Sequence, residues 1–268
     1  TACNAAFFQL GERVFVTADE NRPWELDPET MEMRTVVGAA REWGGAARLS
    51  MLSPCIPTSA HPYFDEDDGL VYNYTARALP EGGTSLSRFD RHLSLTAWDG
   101  AGALRRWEVP GAGLKQYVHT IAATRNFVIL LESSSYQHES GMVQLGLPKL
   151  EPHLPVSNLV VIRKRDLTDA AMGSGVPCRT ITIPVESIHM LVDREDDGEH
   201  LDIWLAHANG LDLLLTNTRD DVHWRSGQRF RVTQLGAYGH ADYTPFGRYR
   251  VRVSDGQILD SRRVVEPD

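Results

Sequence analysis

The sequence predicts an all-β fold assembled from hairpins. Three observations carry this prediction. Helical periodicity is scarce, short apolar or alternating runs recur along the chain, and Asp-Gly or Asn-rich turn residues punctuate them. Many short strands at regular spacing build a sandwich, a barrel or a propeller.

The elements follow in order. RVFVTA (13–18) leads into a second run that ends at LDPETMEM (26–33). GAAREWGGAARL (38–49) is the best helix candidate, although its glycines weaken a helix. LSLTAW (93–98) and LRRWEV (104–109) flank an Asp-Gly turn, and NLVVIRK (158–164) and RTITIPV (179–185) flank a Gly-rich loop. RYRVRV (248–253) and QILDSRRV (257–264) are joined by Ser-Asp-Gly.

Three segments share one pattern: AHPYFDEDDGLVYNYT (60–75), YVHTIAATRNFVILLE (117–132) and IHMLVDREDDGEHLDIWLA (188–206). Each has a histidine (His61, His119, His189), a short strand, a tight turn and a strand built for burial. The histidines are 58 and 70 residues apart. A four-stranded propeller blade takes roughly 40–50 residues, more with long loops. Histidines at equivalent points of separate blades would meet at the central axis. A lone histidine beside a buried strand is usually bonded to a carbonyl, and three in one local setting weaken that reading. His92, His138, His153, His223 and His240 lie in polar or loop-like stretches, His200 in a charged turn, and His207 before an Asn-Gly turn. Surface roles are expected for these.

The totals set bounds. With 268 residues, 42% of them apolar, the chain buries a core in one large domain or two small ones. A net charge of −9 leaves no basic face for a phosphate backbone, so nucleic acid is not expected as a partner. No apolar run reaches the roughly 18–20 residues that span a bilayer. TACNAAFFQL at the start reads like the interior of a protein, so the chain is expected to be a piece of something longer. Cys3, Cys55 and Cys178 are odd in number and form no CxxC pair, which suits inert thiols in a reducing, cytoplasmic compartment. Asn73-Tyr74-Thr75 matches a glycosylation sequon, but it falls inside a strand pattern and reads as chance.

The segments RVFVTADENRPWELDPETMEM, SAHPYFDEDDGLVYNY, QYVHTIAATRNFVILLES and SIHMLVDREDDGEHLDIWLA, in this order and spacing, resemble the carotenoid cleavage oxygenase family. That family includes carotenoid and apocarotenoid dioxygenases, the retinoid isomerohydrolase and the stilbene-cleaving enzymes. The likeness spans residues 1 to about 210, with a weaker match at RYRVRVSDGQI. It implies a seven-bladed β-propeller with one Fe(II) on the axis, held by four histidines, of which His61, His119 and His189 match the first three. The fourth belongs near the family's C-terminus, beyond the part matched here. Residues 1–268 would then be a single propeller domain, incomplete at both ends, that a second polypeptide or missing segment completes. The resemblance also implies carboxylates behind the histidines. One aligns with Asp19, where Glu is usual, and Glu20 is a possible substitute. Ala18 stands where stilbene cleavers carry Lys, which argues against a stilbene substrate. Leu191 stands where the family usually has Asn.

All-imidazole ligation suits Fe(II), Zn(II) or Cu(II), and donor type alone does not choose among them. Carboxylates behind the ring would offset the ion's charge and set the tautomer. The family implies O2 as co-substrate, an apolar polyene as substrate, and a dry tunnel to hold it. Phe7, Phe8, Trp24, Tyr63, Tyr117 and Tyr136 are tunnel candidates, each of which core packing explains more simply. The first functional reading is a non-haem Fe(II) dioxygenase that cleaves a carotenoid or apocarotenoid double bond into two carbonyl products. The second is an inactive or metal-free propeller acting as a binding or scaffold subunit. The third is an isomerase or hydrolase on the same scaffold. A peripheral membrane contact is left open.

Overall fold

In the computed structural model, residues 5–19, 21–44, 56–80, 89–114, 117–133, 156–207 and 246–264 are described. They form four antiparallel sheets of four strands each. The first contains β1 (Ala6–Leu10), β2 (Arg13–Ala18), β3 (Asn21–Leu26) and β4 (Met33–Val36). The second contains β5 (Tyr63–Asp65), β6 (Leu70–Pro80), β7 (Phe89–Trp98) and β8 (Arg105–Glu108). The third contains β9 (Tyr117–Ala123), β10 (Phe127–Ser133), β11 (Ser157–Arg163) and β12 (Arg179–Ile183). The fourth contains β13 (Ser187–Val192), β14 (His200–His207), β15 (Phe246–Arg252) and β16 (Gln257–Val264). In every sheet the spatial order is the chain order, an up-and-down meander. Four such meanders side by side are blades of a β-propeller.

The first strands of the blades lie together. β9 adjoins both β5 and β13. A parallel bridge joins His61 to Thr120, with His61 N–H donating to the His119 carbonyl at 3.2 Å and Ile121 N–H to the His61 carbonyl at 3.1 Å. The first blade attaches through the short segment before β5. There the Thr17 hydroxyl donates to the Ala60 carbonyl (2.5 Å), and Thr58 N–H to the Asp19 carbonyl (2.9 Å).

Burial explains why FVILLE shows no polar alternation. Every residue of β10 is buried. Val128 and Leu130 enter a core shared with the second blade, while Phe127, Ile129 and Leu131 enter one shared with the fourth. A strand covered on both faces reads as a continuous apolar run. β14 differs: its residues alternate between buried and half-buried, matching HLDIWLAH.

The helix candidate at 38–49 is not a helix over its described part, residues 38–44, which form turns. Gly38 and Gly44 stand at φ +65° and +90°, left-handed positions that no α-helix contains. Trp43 is buried against this turn, its indole N–H donating to the Val37 carbonyl. The helix found among the described residues is α1 (Lys164–Asp169), directly after β11 in the stretch read as a Gly-rich loop. Leu167 anchors it in the core, and the Lys164 ammonium pairs with Asp65 and Asp68 of the second blade. No helix among the described residues is long and apolar enough to cross a membrane.

Candidate metal centre

The three histidines meet. His61 precedes β5, His119 lies on β9 and His189 on β13, so each comes from the inner strand region of a different blade. Ring centroids are 4.8 Å apart for His61–His119 and His61–His189, and 5.0 Å for His119–His189. One ligand nitrogen from each lies within 4.8 Å of the others. Three nitrogens about 2 Å from one first-row ion span about 3–4 Å, so small ring movements close the set around an ion.

Strand irregularity aims these side chains. In β9 the register passes from Leu131↔Thr120 to Glu132↔Val118, which makes His119 an extra residue. In β13 it passes from Ser187↔His207 to His189↔Ala206, which makes Ile188 the extra one. Both are β-bulges, features that re-aim side chains beside functional sites. Strict alternation would put Ser187 and His189 on one face. The bulge separates them: Ser187 is fully buried, while His189 opens toward the other histidines.

Asp19, in the turn after β2, accepts a hydrogen bond from His119 Nδ1 at 2.9 Å and a second from Ala60 N–H at 3.1 Å. That bond puts the proton on Nδ1 and leaves Nε2 of His119 as the donor for an ion. Glu20, the possible substitute, lies outside the described residues. His189 is held differently, with its Nδ1 3.5 Å from the Thr120 hydroxyl. Thr120 donates instead to the Ile188 carbonyl at 3.0 Å, the group turned out by the bulge. Desolvation and the neighbouring imidazoles push His189 down to about 4 and lower His61 below the usual imidazole value, against a weaker pull from Asp19. Both rings are therefore neutral at pH 7 and ready as donors. An all-imidazole set with one carboxylate behind it fits a divalent first-row ion.

Supporting residues that the sequence did not single out come from the 58–61 segment. The Thr58 hydroxyl lies within hydrogen-bond reach of the Ala18 and Asn21 carbonyls, the Ser59 hydroxyl donates to the His119 carbonyl, and Ser59 N–H donates to Asn73. Asn73 is 3% exposed, so the sequon is no glycan acceptor, and its side-chain oxygen instead accepts from Ser59 N–H, two residues before His61. A polar residue inside the apolar run LVYNYT was the one signal that could have found it.

The aromatic candidates divide. Phe8 stacks on Phe15 and belongs to the core, and Tyr63 packs against two core clusters. Trp24 is half-buried on β3. Phe7, on β1, is 64% exposed. The Tyr117 side chain and Tyr136 lie outside the described residues. Leu191, 70% exposed, shares the exposed face of β13 with His189. His207 corrects its expected surface role: it is 2% exposed, because its ring nitrogens are bonded within the fourth blade. His92 and His200 are solvent-facing and half-buried, respectively, and His138, His153, His223 and His240 lie outside the described residues. Cys178 is a free, half-buried thiol whose pKa burial raises, as an inert cysteine requires, while Cys3 and Cys55 are outside the described residues.

Known proteins match this architecture. A cobalt-substituted Synechocystis ACO superposes with a TM-score of 0.55 at 15% identity, covering 97% of this chain and 48% of that one. A variant of Synechocystis apocarotenoid oxygenase gives 0.54 at 16%, with the same coverages. An ACO/RPE65 chimera also gives 0.54, at 15% identity and the same coverages. The chain thus spans about half the length of these solved structures, and at such identities the likeness is one of fold. A search of curated proteins gave no match. The family model described as RPE65, retinal pigment epithelial membrane protein, matches residues 1–239. With most of its length matched by that model, the chain belongs to the RPE65 family of carotenoid cleavage oxygenases.

Proposed function

We propose that this chain carries three of the metal ligands, His61, His119 and His189, of a non-haem Fe(II) dioxygenase that cleaves a double bond of a carotenoid or apocarotenoid. One observation carries the reading: three imidazoles from three blades share one centre, and Asp19 stands behind one of them. Family membership supports iron among the ions the donor set would accept. When bound, Fe(II) supplies the electron chemistry that lets O2 react with an alkene. The balance is one C=C bond and one O2 giving two C=O groups.

The protein's own residues do the rest. The Asp19 carboxylate fixes the tautomer of His119 and offsets charge. The Thr120 hydroxyl and the bulge at Ile188 set the direction of His189. Leu191, on the same exposed face of β13 as His189, offers apolar surface to a polyene and brings no hydrogen bond to the site. Residues 1–268 belong to a single propeller domain, and polypeptide outside them supplies the remaining blades and any further ligand. Coverage of only 48% of the matched structures supports this part of the reading.

Metal analysis of the full-length protein tests the proposal. About one iron per protein, reduced to background in His61→Ala, supports it. Metal-free protein at full purity overturns it in favour of a scaffold. Incubation with a carotenoid under 18O2 then separates the reactions. Label in two carbonyl products supports dioxygenation, and unlabelled or isomerised product assigns the site to isomerisation or hydrolysis.

A further inference from the structure

Behind β13 the fourth blade buries a chain of hydrogen bonds that the metal site does not touch. His207, at the end of β14, has Nδ1 2.9 Å from the Ser187 hydroxyl and 3.1 Å from the Glu186 carbonyl. Its Nε2 lies 2.9 Å from the Tyr249 hydroxyl on β15. A carbonyl only accepts, so Nδ1 carries the proton and the Tyr249 hydroxyl donates to Nε2. All three side chains are at most 2% exposed. A Ser–His contact invites a nucleophile reading, but no substrate reaches a serine with no exposed surface.

Space has been kept for this arrangement. A Cβ at Gly247 would meet His207 Nε2 at 2.3 Å and Tyr249 Cε2 at 2.6 Å. Only a glycine there lets both rings lie over the backbone of β15. The network therefore occupies a place that any other residue at 247 would close.

Its position relative to the bulge gives it a role. His207 grips the backbone at Glu186 and the side chain of Ser187, immediately before the extra residue Ile188. On the other side of the bulge, the Ile188 carbonyl is taken by Thr120. The inserted residue is thus held from both sides, and His189 is the next residue along the chain. A one-residue slip in a strand turns every side chain to the opposite face. Relaxing the bulge would swing His189 away from His61 and His119.

We propose that Ser187, His207 and Tyr249 are positioning residues that lock the β13 bulge and so aim His189 at the shared centre. The inference rests on the metal-site reading for its functional meaning. Its structural content stands by itself.

The test uses full-length protein with Ser187→Ala and with Tyr249→Phe, which removes a single oxygen. Two readouts are taken: Co(II) affinity from the visible ligand-field band, and the His189 ring signals in metal-free protein by NMR. Both variants are expected to bind Co(II) about tenfold more weakly, as losses behind a ligand do. Both should also shift the His189 ring signals and leave those of His119, held by Asp19, in place. The proposal is overturned if melting temperature falls while Co(II) affinity stays within about twofold of the parent and the His189 signals do not move. If the parent protein binds no Co(II), the metal reading fails alone, and the ring signals still decide the positioning role.

Discussion

His119 and His189 face the same centre from neighbouring blades, yet they are held by opposite means. His119 is itself the extra residue of its bulge, is 8% exposed, and has a carboxylate 2.9 Å from Nδ1. His189 follows its bulge, is exposed, and has a hydroxyl 3.5 Å from Nδ1, beyond a firm hydrogen bond. One ring is oriented by a side chain from another blade. The other is oriented by its own backbone. A charged partner can set tautomer and direction together, whereas a backbone device sets direction only.

That contrast can be broken most severely at the ligands. His119→Ala and His189→Ala should each bring bound metal to background, measured by elemental analysis, because each removes one imidazole outright and opens the ion to water. Between those and a silent change lies Asp19→Ala. It removes the charge-assisted bond and should weaken metal binding by roughly 10–100-fold. Thr120→Val, which leaves His189 without its neighbouring hydroxyl and removes the shorter hydrogen bond to the Ile188 carbonyl, should weaken it less and cost about 1 kcal/mol in stability. Equal losses in metal titrations of the two variants would show that both rings depend on side-chain support, and the contrast would be gone.

Stability is carried elsewhere, and a core substitution sharpens the distinction. Leu130→Ala, in the fully buried middle of β10, should cost about 2–5 kcal/mol in chemical denaturation while the folded fraction keeps its metal affinity.

The smallest effect is expected at Glu25, a carboxylate away from the histidines. Arg13 lies 2.6 Å from it and holds its pKa below the ordinary value, mainly through their hydrogen bond. A lowered folded-state pKa stabilises above the unfolded value of about 4.3, and the contribution is lost as pH falls through the folded value. Glu25→Gln should therefore lower the melting temperature slightly at pH 7, narrow that gap as the pH drops below about 4, and leave metal binding unchanged.

Some of the site is legible in the sequence. The repeated unit of histidine, short strand, turn and buried strand put His61, His119 and His189 at equivalent places, because a meander fixes where a first-strand residue falls in each blade. The strands RVFVTA, LSLTAW and FVILLE were readable from β-branched and apolar runs between turns. The helix was misplaced, since the left-handed glycines at 38 and 44 outweigh the spacing of apolar residues between them, while LTD gains a core contact that spacing does not reveal. The Asn-Gly neighbours of His207 point to a surface position. Its burial depends on Tyr249 and Gly247, some forty residues away along the chain.

The sequence alone determined composition and local pattern: strands, turns, and which residue types stood at the head of each hairpin. These follow from side-chain volume, branching and backbone preference, which act over a few residues. The tertiary structure decided register. Where a strand gains one residue over its partner, the side chains beyond it change face, and no local preference records which residue is the extra one. Whether His189 looks inward or outward is settled by hydrogen bonds from Thr120, Ser187 and His207, groups that only the folded blades bring together.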